Sequence, residues 1–255
     1  MTEVERQTAL DAIGAEVSAC TRCRLHETRT RAVPGEGTAE TEVIFVGEGP
    51  GFNEDKQGRP FVGQAGNLLN ELLGQIGWSR DVVYITNVVK CRPPENRDPE
   101  PDEIAACAPF LTRQLAALDP ALVVTLGRFS MARFSPGARI GQVHGTVRRA
   151  DPESGAPNSL TFAMYHPAAA LHQGSLKATL FQDMEGVPAA LLEARRLRTL
   201  GTQPRIAPGT PEVAYQPAEP APIYVSGVAP EPLSVVADSS ADDAESGPTD
   251  QLPLF

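Results

Sequence analysis

No run of about 18 or more apolar residues occurs in the 255-residue chain, which excludes a conventional membrane-spanning helix. The first ten residues carry Glu3, Glu5 and Arg6 where a leader peptide would need an apolar core. A cytoplasmic protein is therefore expected, not a secreted one. Lysine is scarce, three residues against nineteen arginines, and tryptophan occurs once. The glycine-rich segment Gly47-Glu48-Gly49-Pro50-Gly51 has neither a G-K-[ST] ending nor a G-x-G-x-x-G spacing. Pro50 also has no N–H to offer a phosphate, so a nucleotide-cradling loop is excluded there.

What is present is an uneven charge. The formal net charge is −10, which would argue against a nucleic-acid partner whose phosphates need cations. From residue 200 onward, however, eight acids stand against Arg205 alone, together with ten of the 24 prolines. Such a segment buries too little apolar surface to offset its ordering entropy, so 200–255 is expected to be a disordered acidic tail. Residues 1–199 are then the folded domain, nearly neutral and expected to be monomeric. Its bases cluster: Arg128, Arg133, Arg139, Arg148 and Arg149 with no acid between 120 and 150, and Arg22, Arg24, Arg29 and Arg31 against Glu27 alone. Arginine forks suit phosphate, which makes Arg148 and Arg149 candidate DNA contacts.

Periodicity predicts an amphipathic helix over 3–18, then short apolar strands at 42–46, 81–89, 121–126, 143–149 and 160–165. Helices are expected near 65–76, 102–118, just after Gly127 and up to about Arg196, with a long loop over 47–63. Strands alternating with helices argue for an α/β fold, a three-layer α/β/α sandwich around a mostly parallel sheet. Ligands then belong at the carboxyl ends of the strands.

Cysteine occurs four times: Cys20-x2-Cys23, then Cys91-x15-Cys107. Without an export signal, a metal site is preferred over disulfides. Four thiolates suit tetrahedral zinc or an iron–sulfur cluster, with zinc the default on spacing alone; Cys91 and Cys107 could also be no more than small buried residues. The loop after the first strand carries Glu54-Asp55 and Gly58-Arg59-Pro60-Phe61-Val62-Gly63. An acid there can orient water, and an aromatic can stack on a planar ring. Asn87 ends one strand and His166-Pro167 another. An asparagine amide offers a donor and an acceptor together, which suits the edge of a base.

Taken together, GEGPG-x2-ED-x2-GRPFVG-x-AG, TNVVKCRPP-x-NR-x-P, the cysteine spacing and the late His-Pro resemble family 4 uracil-DNA glycosylases. The resemblance covers about residues 10–195. It implies an enzyme of base-excision repair that flips uracil out of single- or double-stranded DNA, hydrolyses the N-glycosidic bond and leaves an abasic site. It also implies a [4Fe–4S] cluster on Cys20, Cys23, Cys91 and Cys107. By resemblance, Glu48, Gly49 and Pro50 line the uracil pocket, Phe61 stacks on the ring, Asn87 reads its polar edge and His166 stabilises the departing anion. Glu54 is favoured for positioning water, with Glu48 the alternative. The chain departs from the family where His-Pro is followed by Ala168 instead of serine. Leu171 is the candidate wedge and His172 a candidate DNA contact. The stretch 92–97 lacks the histidine of relatives that trap DNA covalently, so turnover by a monofunctional enzyme is expected. The competing expectations are a non-catalytic iron–sulfur protein that binds DNA or the clamp, and a glycosylase for other deaminated bases.

The last five residues, Gln251-Leu252-Pro253-Leu254-Phe255, end an otherwise acidic tail in apolar side chains. They resemble the pentapeptide that binds the bacterial sliding clamp, with Gln251 as hydrogen-bonding residue and Leu252, Leu254 and Phe255 as anchors. A linker of roughly 50 residues would reach about 40 Å.

Overall fold

In the computed structural model, residues 1–201 are described. The expected tail disorder and the residues Gln251, Leu252, Leu254 and Phe255 lie outside the described residues. The chain opens with α1 (Glu3–Ala19) and the short α2 (Leu25–Thr28), then β1 (Glu36–Gly37) and β2 (Val43–Gly47). Next come α3 (Phe52–Gln57), α4 (Gln64–Gln75), β3 (Tyr84–Asn87), α5 (Pro101–Leu118) and β4 (Leu122–Leu126). Helices α6 (Arg128–Phe134) and α7 (Ile140–Val143) precede β5 (Val147–Arg149) and β6 (Leu160–Met164). The described residues finish with α8 (Pro167–His172) and α9 (Ser175–Thr199).

The strands form one sheet in the order β1-β3-β2-β4-β6-β5. Its four central strands are parallel, while the edge strands β1 and β5 run antiparallel to their neighbours. Every residue of β2, β4 and β6 is buried, as expected where helices cover both faces. Alternation decides the layers. Val43 and Phe45 join Leu69, Leu72, Leu180, Met184 and Val187 of α4 and α9 on one face. Ile44 and Val46 join Leu10, Ile13 and Val17 of α1 and Leu111 and Leu115 of α5 on the other. A one-residue slip of β2 would exchange the two sets. The expected three-layer sandwich is therefore the observed one.

Local chemistry starts the first helix. Thr2 accepts from the Glu5 amide while the Glu5 carboxylate accepts from the Thr2 amide, a reciprocal cap of the kind whose side-chain loss costs about 1 kcal/mol. Four boundaries differ from expectation. The loop expected over 47–63 contains α3, because Glu54 reaches back to the Gly51 amide and Gly58 closes the helix at φ 71°. The strand expected over 81–89 shrinks to β3, since Arg80–Val82 coil into a 3-10 turn. The strand expected over 143–149 splits, with Val143 ending α7 and Val147–Arg149 pairing antiparallel to β6. The last helix is interrupted at Gln173 and Gly174, which separates α8 from α9.

Candidate functional site

The carboxyl ends of β2, β3 and β6 converge on a cavity of about 270 Å³ lined by Glu48, Gly49, Pro50, Glu54, Phe61, Asn87 and His166, among others. Backbone pairing continues past the strand ends and fixes this edge. The Val88 amide donates to the Gly47 carbonyl and the Val89 amide to the Glu48 carbonyl. Gly47 sits opposite Asn87 in the register. A Cβ on Gly47 would lie 2.4 Å from Asn87 Oδ1 and 2.6 Å from Phe61 Cζ. Glycine at 47 is thus what lets the amide and the ring share one wall.

Asn87 is 1% exposed, and its Oδ1 is buried without a hydrogen-bond partner. A buried amide acceptor left unpaired costs about 1–3 kcal/mol, and no protein group donates to this one, so it is available to a ligand. Its main chain is held from behind. Lys90, fully enclosed, donates from Nζ to the Asn87 carbonyl (2.8 Å), Thr86 Oγ1 (2.5 Å) and Gln114 Oε1 (2.7 Å). Burial pushes that amine down to about 7.

His166 caps α8, and its Nδ1 accepts the Ala168 amide at 3.1 Å. A ring nitrogen that accepts cannot carry a proton, so neutral His166 holds its hydrogen on Nε2. Burial pushes the imidazole down to about 4, against a small opposing pull from Glu54. The ring is therefore neutral at pH 7, with its Nε2–H available to donate. Phe61 stacks against it with ring centroids 5.6 Å apart.

Phe61 adopts φ +52°, a left-handed conformation that bulky residues occupy only under constraint. The constraint is visible. Arg80 donates to the Phe61 carbonyl (3.1 Å) and the Pro60 carbonyl (2.6 Å), and is itself paired with Glu36. Gly66 admits the Phe61 carbonyl where a Cβ would lie 1.9 Å away.

The two adjacent acids of the loop do different things. Asp55 is buried and accepts the amides of Thr30 and Arg31, pinning that neighbouring segment. Glu54 lines the cavity while accepting the amides of Gly51, Val62 and Gly63 at 2.8–3.1 Å. Three N–H donors make it a fixed acceptor, suited to orienting a water. Glu48 lies in the same cavity, raised to about 7 mainly by burial and further by Asp98, with Arg128 opposing. Arg128 pairs with Asp98 at this rim.

A second concave site lies behind the first. Cys20, Cys23, Cys91 and Cys107 line one small cavity with Val17, Leu25 and Phe110. No three His, Cys, Asp or Glu side chains among the described residues are grouped to hold a metal ion. Four cysteine side chains around one cavity supply the thiolate set that a zinc ion or an iron–sulfur cluster takes. Arg29 donates to Cys91 Sγ (3.0 Å) and the Lys90 amide to Cys107 Sγ (3.2 Å). Burial raises the Cys23 and Cys91 thiols, and Cys107 to about 11, so thiolates here require a cationic centre. The donor set fits an iron–sulfur group.

Other expected residues are elsewhere. Leu171 is 46% exposed on α8, whereas Ala170 is the residue that packs inward; His172 beside it is exposed. Arg148 and Arg149 pair with Thr161 and Leu160 at the amino end of β6, the opposite end of that strand from His166. They are not brought to the cavity. Arg133 is spent on Ser154 and Thr112, and Arg24 on Asp102 and Glu103. The residues that sequence reasoning missed are Arg80 with Glu36, Lys90 with Gln114, and Asp98; each acts through contacts between distant segments, and no local spacing signals them.

Comparison with known proteins follows this geometry. The sequence model described as "Uracil DNA glycosylase superfamily" matches residues 34–185. The chain is 44% identical over 194 residues to the type-4 uracil-DNA glycosylase of Sulfurisphaera tokodaii, covering 74% of this chain and 87% of that protein. It is 46% identical over 188 residues to that of Saccharolobus solfataricus, covering 71% and 86%. The Thermotoga maritima type-4 enzyme is 42% identical over 182 residues, covering 71% and 93%.

Proposed function

The chain belongs to the uracil-DNA glycosylase superfamily, and from that premise we propose that it excises uracil from DNA as a type-4 enzyme, in base-excision repair. The observation that carries this reading is the unpaired, buried Asn87 Oδ1 in the cavity wall. Uracil presents N3–H beside O4, a donor next to an acceptor. N3–H satisfies Asn87 Oδ1, and Asn87 Nδ2 donates to O4. Cytosine presents the reverse order and would leave buried groups unpaired, which such sites reject by roughly 10⁴-fold.

The base reaches the cavity by swinging out of the stack, at a cost of a few kcal/mol in a duplex and less in a single strand. The exposed Leu171 fills the gap it leaves, and His172 meets the backbone beside it. Phe61 offers its face to the ring. The C1′–N1 bond breaks with its electron pair going to the base, and the His166 Nε2–H donates to the developing charge on O2. Glu54 holds the water that adds to C1′, and that water's proton leaves to solvent. Lys90 forms no Schiff base in this scheme, because its amine is enclosed and all three of its bonds are made. The test is release of free uracil from a single-uracil oligonucleotide; binding without release would favour a non-catalytic DNA-binding protein, and release of other deaminated bases at a higher rate would favour the related-glycosylase alternative. In the same assay Glu54→Gln is expected to be inactive, since its one amide oxygen can face the Val62 and Gly63 donors or the Gly51 donor but not both, leaving an NH2 against an N–H. Normal turnover would remove Glu54 from the chemistry.

We further propose that Cys20, Cys23, Cys91 and Cys107 hold a [4Fe–4S] cluster, which ties α1, the segment after β3 and α5 together. A cluster supplies no step of hydrolysis; its contribution is to hold the segment that carries Asn87 and Lys90. Iron and sulfide analysis of anaerobically purified protein should give four of each per chain, and Cys107→Ser should lose the brown absorbance and melt at lower temperature. Stoichiometric zinc instead would refute the cluster. Finally, we propose that Gln251, Leu252, Leu254 and Phe255 bind the bacterial sliding clamp. Deleting 251–255 should abolish clamp binding by calorimetry and leave uracil release on short oligonucleotides unchanged.

A further inference from the structure

Phe52, the first residue of α3, is 49% exposed, an unusual position for a large aromatic on a soluble surface. Two cations sit over its ring: Lys56 Nζ at 4.2 Å and the Arg92 guanidinium carbon at 5.1 Å from the centroid. Among the described residues, neither cation forms an ion pair. Arg92 also donates to Asn96 Oδ1 at 2.7 Å, and Asn96 lines the Asn87 cavity with Gly51, the residue before Phe52. The aromatic and its cations are thus continuous with the cavity mouth. They are held there by a segment with two consecutive left-handed residues, Glu95 (φ 55°) and Asn96 (φ 56°).

We propose that Phe52, Arg92 and Lys56 form a second subsite, which stacks the base adjacent to the target uracil and neutralises its phosphate. The inference rests on the uracil-excision reading and adds a substrate preference to it. An exposed ring beside unpaired cations is the arrangement by which single-stranded nucleic acid is held, the π-face taking any base and the cations tracking the backbone. In a duplex the neighbouring base is paired and stacked, so it cannot lie on the ring. The subsite therefore favours uracil in single strands or frayed ends.

The experiment measures binding by fluorescence anisotropy and uracil release in parallel, on single-stranded and duplex oligonucleotides carrying one uracil. Phe52→Ala is expected to weaken single-strand binding about 5- to 100-fold, with the loss in KM more than in kcat. Phe52→Tyr should restore most of it. Replacing the bases flanking uracil by abasic sites, first on the 5′ and then on the 3′ side, should erase the difference between native protein and Phe52→Ala on one side only. Arg92→Gln with Lys56→Gln should lower the salt dependence of binding. Equal loss on duplex and single strand, or a loss that persists when both flanking bases are absent, overturns the proposal. So does unchanged binding by Phe52→Ala, given a melting temperature equal to that of the native protein. Absence of uracil release by the native protein would instead sink the glycosylase reading, and anisotropy would still report on the subsite.

Discussion

Asn87→Ala is expected to lower kcat/KM for uracil release by roughly three orders of magnitude while leaving the fold intact. The size follows from what the side chain does. It supplies one acceptor and one donor to a base that has left water, and losing a pair of buried, oriented hydrogen bonds in a transition state costs on that scale. The intact fold follows because no protein group donates to Oδ1. Removing an acceptor that bonds nothing sacrifices no native hydrogen bond, and the Lys90 contact is to the Asn87 main chain, which alanine keeps. A melting temperature within a few degrees of the native value, together with unchanged iron content, would establish that separation. Asn87→Asp sharpens it. The shape is retained, but Nδ2 becomes an oxygen that faces uracil O4, so this variant should be nearly as inactive as alanine. Substantial activity in Asn87→Asp would show that the amide fills space without reading the base.

This residue also shows where sequence reasoning reaches and where it stops. That Asn87 ends a buried strand beside a glycine-rich loop is readable from short apolar runs and their punctuation, as are the layers of the fold. The alternation of Val43, Ile44, Phe45 and Val46 already contains the two cores. The α3 cap was hidden because glycine-rich composition reads as loop, although Glu54 three residues after Gly51 stops the backbone from behaving as one. The Arg80 clamp on Phe61 and the Lys90 cradle under Asn87 were not legible at all. Arg80 lies 19 residues from Phe61, and Gln114 lies 24 from Lys90; no periodicity links such pairs. Charge misled in the same way. Arg148 and Arg149 belong to an acid-free stretch of sequence, yet β5 carries them toward the amino end of β6.

In a Glu48→Gln background, uracil release is expected to show no falling limb near pH 6.5 that depends on His166; a step set by the Lys90 amine, lowered to about 7 by burial, persists in His166→Ala. Glu48 is replaced because its carboxyl, raised to about 7 by burial and by Asp98, would add a step of its own. With it gone, His166 is the titrating group of interest. If the ring worked as a cation, the rate would fall as pH rose through the ordinary histidine value. Burial, which holds the ring near 4, and the Ala168 amide on Nδ1 make it a neutral Nε2–H donor, so a falling limb near 6.5 that disappears in His166→Ala would reject this account. His166→Ala should lose about 10²- to 10³-fold in kcat, the scale of one preorganised donor to a developing anion. Stability supplies an independent reading of the same shift. Between pH 4 and 6.5 the unfolded chain holds more protons on this ring than the folded one, so stability rises with pH across that window and is level above it. At about 1.4 kcal/mol per pKa unit the rise is at most about 3.5 kcal/mol. Glu48 works in the opposite sense: its folded form holds the extra proton between 4.5 and 7, so its contribution falls as pH climbs that window. Urea midpoints of the Glu48→Gln protein with and without His166→Ala therefore isolate the histidine. The difference between the two should be smallest in the native histidine's favour near pH 4 and should widen toward pH 6.5. A difference independent of pH would mean that the ring ionises normally in the fold, and the neutral-donor mechanism would fall with it.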